Sequence, residues 1–226
     1  MPATNPPTRP ALRARYDQRR QALIDAAAKL FAERGYEQTS IGDLSEATGL
    51  AAGGIYHYTS SKEGLLIAIC DELLDPLLEQ ARAIPADASP DDQLRELLRI
   101  WLLHIESHIP HMLVFTQERH TIEREPQWRA VRRKRKAFEQ ILDGVLIAGE
   151  ADGSMSFEDR GLALLALLGM VNYSPQWLRP GGRRSAEEIA DVWCNLFIDA
   201  RPRPVDQSSG KSSSTKKRAA GSRRSP

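Results

Sequence analysis

Residues 49–66 read GLAAGGIYHYTSSKEGLL, a stretch whose residue types suit contact with a polyanion. Gly53 and Gly54 strip side chains from one turn of a helix, at a cost of about 1 kcal/mol each relative to Ala. A neighbouring molecule can then approach the backbone closely, and N–H groups at a helix start can meet phosphate. Tyr56, His57 and Tyr58 bring hydroxyl and ring donors for phosphates or base edges, and Lys62 brings a point charge. A second set, His104, His108, His111 and His120 with Glu106 and Glu118, has metal-ligand chemistry. Within it, "HIESH" sets His104 and His108 four apart on one helix face. This set lacks the Glu that follows the first His of a zinc-protease helix, and the chain has neither a Gly-rich phosphate loop nor a nucleophile elbow. No catalytic residue, metal or cofactor is expected, and a metal-dependent enzyme is the weaker alternative.

Positioning the first set requires helices. Leu23, Ala26, Ala27, Leu30 and Phe31 form one stripe that ends at Gly35. Ser40 with Asp43 reads as a capping box opening a short helix that stops at Gly49. A second short helix holds Ile55 to Tyr58, and Ser60 with Glu63 predicts another box opening a long helix through Leu65, Leu66, Ile69, Leu73 and Leu77. A long helix followed by two short ones joined around a glycine is a helix-turn-helix pattern, whose last helix enters a DNA major groove. Beyond "AIPADASPDD", Ser89 and Pro90 restart a helix, and Pro110 and Pro126 punctuate two more. Final helices are expected at about 158–177 and 185–200. No run alternates like a strand, so the expected fold is all-α with about nine helices. Its parts are a disordered arm (1–12), a DNA-binding domain (13–62), a ligand-binding and dimerisation domain (63–200) and a disordered basic tail (201–226).

Composition is that of a globular protein, 41% hydrophobic and 27% charged over 226 residues. No secretory leader is expected, and the longest apolar stretch, Gly161 to Val171, is too short to span a bilayer. A cytoplasmic protein without membrane contact follows, with Cys70 and Cys194 as buried free thiols. The net charge of +1 hides an uneven distribution. Residues 201–226 hold eight Lys/Arg against Asp206; removing these from 31 basic and 30 acidic residues leaves 23 and 29, a net of −6 for residues 1–200. The opening arm sets Arg9, Arg13, Arg15, Arg19 and Arg20 against Asp17. Basic ends on an acidic body suit polyanion contact, and Arg9, Arg13 and Arg15 suit a minor-groove arm. A non-specific architectural DNA-binding protein using these ends is the other alternative, against which the acidic body argues.

"TSIGDLSEATGLAAGGIYHYTSSKEGLL", residues 39–66, resembles the DNA-binding segment of the TetR family of transcriptional regulators. The resemblance implies a homodimer on a palindromic double-stranded operator, released by a small-molecule effector, with repression the expected outcome. It also implies a DNA-facing set of Thr39, Ser40, Ala52, Gly53, Tyr56, His57, Tyr58 and Lys62, joined by Arg15 from the arm. Thr59 stands where the family usually has Phe. No Lys or Arg lies between Arg34 and Lys62, which excludes Arg–guanine readout by the recognition helix.

"LLGMVNYSPQWLRPGGRRSAEEIADVW", residues 167–193, resembles the branch of that family responding to acyl-CoA thioesters, which includes regulators of fatty-acid and steroid degradation. The implied effector is an acyl-CoA, with Tyr173, Trp177 and Arg179 beside it. An apolar channel of Trp101, Ile105, Phe115 and Phe138, and a cation such as Arg135 from the basic run 132–136, would suit that ligand. Leu165 and Leu168, with Ile189, Val192, Trp193 and Leu196 on the last helix, are expected to pair with a partner copy as a four-helix bundle. The family's mechanism would have effector binding swing the helix of Leu65 to Leu77 so that the two reading heads change separation.

Overall fold

The computed structural model describes residues 6–124 and 126–198, and within them every regular element is helical. Ten α-helices run in order: α1 (Pro10–Arg34), α2 (Ile41–Thr48), α3 (Ala52–Tyr58), α4 (Lys62–Ala83), α5 (Pro90–Ser107), α6 (Ile109–Gln117), α7 (Arg119–Arg124), α8 (Arg129–Asp152), α9 (Arg160–Tyr173) and α10 (Ala186–Ile198). One more helix than expected arises because the segment after Pro110 is two short helices, α6 and α7, before a 3-10 turn at Pro126–Trp128. The basic tail lies outside the described residues.

Local chemistry sets most of the boundaries. α1 starts at Pro10, inside the expected arm, because proline at a first helical position loses no hydrogen bond. Arg13 and Arg15 are therefore helical, and a helix is too wide for the minor groove; only residues before Pro10 remain for an extended arm. The Ser40–Asp43 capping box forms with both bonds, and Gly49 ends α2 at φ 68°, where a side chain would be strained. The box expected at Ser60 does not form: Ser61 caps α4 by accepting from the Gly64 N–H, and Glu63 instead accepts from Gln127. Ser89 caps α5 with Pro90 in its first turn. The expected helix at 158–177 closes at Tyr173, before a 3-10 turn containing Pro175.

Two hydrophobic cores result. One joins α1–α3 and the first half of α4 to Val114, Ile122, Trp128 and Val131, so residues beyond 62 pack with the head. The other unites the second half of α4 with α5, α8, α9 and α10. α4 belongs to both. Lys134 of α8 reinforces its position with 2.7 Å bonds to Asp71 and Asp75. Both cysteines are buried free thiols; burial raises each pKa, that of Cys194 to about 11.

Candidate functional site

The surface of α3 is bare at its start. Ala52 and Gly53 are exposed, and a Cβ added at Gly53 would meet nothing within 4 Å. At Gly54 it would make only an ordinary contact with Leu50, at 3.8 Å. Neither glycine has positive φ, so neither packing nor backbone conformation within the chain requires one there. Tyr56 is half-buried beside them. Exposed His57 and half-buried Tyr58 close on Tyr16 of α1, with ring centroids 5.6 and 5.0 Å away. Tyr16, which sequence reading passed over, thus orients the two aromatic side chains. Ser40 is exposed at the α2 cap, and Arg15 is exposed on α1, without an ion pair among the described residues.

Two members of the expected DNA-facing set turn inward. Thr39 is buried, its hydroxyl donating to the Gly35 carbonyl at 2.8 Å. Lys62 directs its ammonium to the carbonyls of Tyr36, Glu37 and Thr39, at 2.9, 3.3 and 3.2 Å, and lies over the Tyr36 ring. An ammonium has three donors, and here three carbonyls use them. Without DNA, Lys62 clamps the first turn of α4 to the loop leading into α2.

Below the head, a small cavity of about 40 Å³ opens between helices. Leu73, Leu74 and Leu77 of α4 form one wall; Trp101, Met112, Phe115 and Phe138 form another, with Arg135 and Glu139 as charged members and Asn172 as a polar one. Trp101 meets Phe138 edge-on at 4.7 Å. Arg135 pairs with Glu123 at 3.2 Å and Glu139 at 3.4 Å. Four expected residues are elsewhere. Ile105 is packed into the core away from the lining. Tyr173 is exposed, and Trp177 meets Trp193 edge-on at 5.9 Å. Arg179 donates to the carbonyls of Pro175, Gln176 and Leu178, which fixes the turn after α9. The α4 leucines and Asn172 were missed because periodicity marks a core position without saying whether it borders a void.

Eight large apolar side chains are exposed among the described residues, and six of them lie on α9, α10 or the segment between: Leu162, Leu165, Tyr173, Trp177, Val192 and Leu196. Concentrated exposure of this kind marks an interaction surface. Leu165, Val192 and Leu196 of the expected pairing set are on it, with half-buried Trp193 at its edge. Ile189 is not, being buried in its own chain's core, and Leu168 lines the cavity.

These features define a helix-turn-helix head on a helical, cavity-bearing domain. Residues 23–69 match the family described as bacterial regulatory proteins, tetR family, and residues 87–200 match the tetracyclin repressor-like C-terminal domain. The chain belongs to the TetR family of transcriptional regulators, whose head binds DNA. It is 30% identical over 189 residues, 82% of this chain and 92% of the relative, to the transcriptional repressor KstR2 of Rhodococcus jostii RHA1. The structure of the ketosteroid transcriptional regulator KstR2 of Mycobacterium tuberculosis is similar at TM-score 0.73 and 25% identity, covering 80% of this chain and 95% of that one. That of AibR in complex with isovaleryl coenzyme A and operator DNA is similar at TM-score 0.68 and 26% identity, covering 80% and 98%.

Proposed function

We propose that the protein is a cytoplasmic, homodimeric transcriptional repressor that leaves its operator when an acyl-CoA thioester enters the helical domain. The carrying observation is the sharing of α4: Leu73, Leu74 and Leu77 wall the cavity while Lys62, on the same helix, holds the loop into α2. At about 40 Å³ the cavity is far smaller than the roughly 300–1,000 Å³ of a typical ligand pocket. An acyl chain enters by spreading this lining, and where the α4 leucines yield, ligand and operator compete for the position of one helix. That is a differential affinity for two states, the requirement for allosteric release. Arg135 among apolar walls suits an anionic head on an apolar tail, and the AibR complex with isovaleryl coenzyme A supports the same ligand class.

On DNA, Ala52 and Gly53 let α3 lie close to the duplex, with Tyr56, His57 and Ser40 as hydrogen-bonding groups. Residues 35–61 contain no Lys or Arg, so backbone attraction comes from the exposed arginines of α1, Arg15 and Arg19. The face of α9 and α10 pairs two copies around a two-fold axis, which matches a palindromic operator. The test is fluorescence anisotropy on DNA from the upstream region of its own gene, titrated with acyl-CoA thioesters, the free acids and free CoA. Competitor-resistant binding released by a thioester and not by its acid is expected. Specific binding that no thioester disturbs removes the effector; equal binding to any duplex removes the repressor and leaves an architectural protein.

A further inference from the structure

Where α1, α4 and α6 meet, three side chains converge that the regulator described above does not use. His111 of α6 is buried, with 5% of its side chain exposed, and directs Nε2 between Asp25 of α1 and Glu72 of α4, at 3.6 and 3.4 Å. These distances exceed those of a hydrogen bond, and neither ring nitrogen of His111 makes one. The three donor atoms all lie within 4.8 Å of one another. Two carboxylates so close repel unless a cation lies between them. Arg20 reaches only the far oxygen of Glu72, at 3.9 Å. Gln21 donates from Nε2 to Asp25 Oδ1 at 3.1 Å and Glu72 Oε2 at 2.7 Å, aligning the two oxygens that face the imidazole.

We infer that Asp25, Glu72 and His111 form a binding site for a divalent first-row transition metal, Zn²⁺ being the best fit. A tetrahedral zinc with bonds of about 2.0–2.2 Å sets its ligand atoms about 3.4 Å apart, close to the two separations found here. One imidazole and two carboxylates suit such a metal better than Mg²⁺ or Ca²⁺, which take oxygen ligands. Gln21 supplies the outer hydrogen bonds that orient ligating carboxylates. Asp25 has 55% of its side chain exposed, which leaves room for a fourth, water ligand and a way in. His108 is outside the set: its ring is 5.3 Å from that of His111, and its Nδ1 bonds with the His104 carbonyl. Bound metal would fasten the helix that supports the reading head to α4 and α6, which both border the cavity.

The experiment uses the untagged full chain, stripped with a chelator and titrated with Co²⁺ while its visible ligand-field absorption is followed, then with competing Zn²⁺. One equivalent per chain is expected, with tetrahedral absorption that Zn²⁺ abolishes and a higher thermal midpoint for the zinc-loaded protein. His111→Gln lowers the affinity at least about 100-fold and Asp25→Asn about 10- to 100-fold, whereas His120→Gln leaves it unchanged. Asp25→Asn alters an exposed group, so it carries the test even where His111→Gln does not fold. Failure of the wild type to bind overturns the site, as does unchanged affinity in Asp25→Asn or loss of binding in His120→Gln.

Discussion

The exposed start of α3 and the exposed face of α9 and α10 are opposite solutions to the problem of meeting a partner. On α3, Ala52 and Gly53 remove side chains that the chain itself has room for. Across α9 and α10, Leu162, Leu165, Val192 and Leu196 present apolar side chains that the chain itself does not cover. Each arrangement opposes the stability of an isolated protomer: glycine weakens a helix, and apolar surface left in water forfeits about 25 cal/mol per Å² of burial. On the proposed operator, the first surface gains from close approach of backbone to a rigid polyanion. In the proposed dimer, the second gains from removal of water between two like surfaces. A protein surface thus records the chemistry of its partner as departures from what folding alone would choose.

Breaking the apolar surface has the largest expected effect. Leu165→Glu with Leu196→Glu puts two carboxylates from each copy into the contact, and the protein becomes monomeric in sedimentation velocity. Each head then binds alone, and the loss of bivalency lowers operator affinity by about 100-fold or more. A dimer that survives both changes moves the interface elsewhere. The α3 surface is tested by Gly53→Leu, for which the folded chain has space. Its thermal midpoint holds or rises, because leucine favours the helix by close to 1 kcal/mol over glycine, while operator affinity falls about 10- to 100-fold. Unchanged affinity would mean that α3 does not approach DNA by this turn.

The legibility of the sequence divides along the same line. Caps and turns were readable because they depend on residues three or four apart: Ser40 with Asp43, Gly49 at positive φ, and Ser89 before Pro90 all form. Ser185, opening the last motif, likewise exchanges hydrogen bonds with Glu188. The rest of that motif goes mostly into a turn. Arg179 and Gly181, the latter at φ 68°, build the turn into α10, and of "GMVNY" only Asn172 reaches the cavity. A cavity lined from five helices has no local signature, and α4's contribution is spelled like any buried stripe. Lys62 adds a contact that the motif alone does not show. It occupies a charged position of a DNA-binding pattern, yet the carbonyls that engage it lie 23 to 26 residues earlier, beyond the reach of spacing arguments.

Lys62 therefore separates the two readings of its charge. Lys62→Met keeps the stem over Tyr36 but leaves three carbonyls without their donor, and charge-assisted bonds of this kind contribute about 1.5–3 kcal/mol. Chemical denaturation should give a loss of about 2 kcal/mol, with weakened operator binding that recovers in part at lower temperature, where the head refolds. Loss of DNA affinity with unchanged stability, together with a reduced dependence of binding on salt, would instead return Lys62 to the phosphate backbone.

The smallest effect expected is on pH dependence, and it concerns the interior beneath the head. His104 is half-buried against α4, and this desolvation, helped by the neighbouring His108, lowers its pKa from 6.5 to about 4, outweighing the carbonyls of Leu73 and Glu72 that favour the charged ring. The folded protein consequently holds this ring neutral at pH values where the unfolded chain protonates it. Stability is complete above about pH 6.5 and declines as the pH falls toward 4, because the unfolded state binds the additional proton. His104→Gln removes that proton, so its stability should fall less steeply than wild type between pH 6.5 and 4, with the two profiles parallel above pH 7. His108, whose ring centroid is 4.3 Å away, is the control. Its replacement by Gln relieves the repulsion and raises the pKa of His104, which NMR titration of the ring reads directly. Profiles that stay parallel throughout would mean that His104 finds a proton as easily in the folded chain as outside it, with the α4–α5 contact open to water.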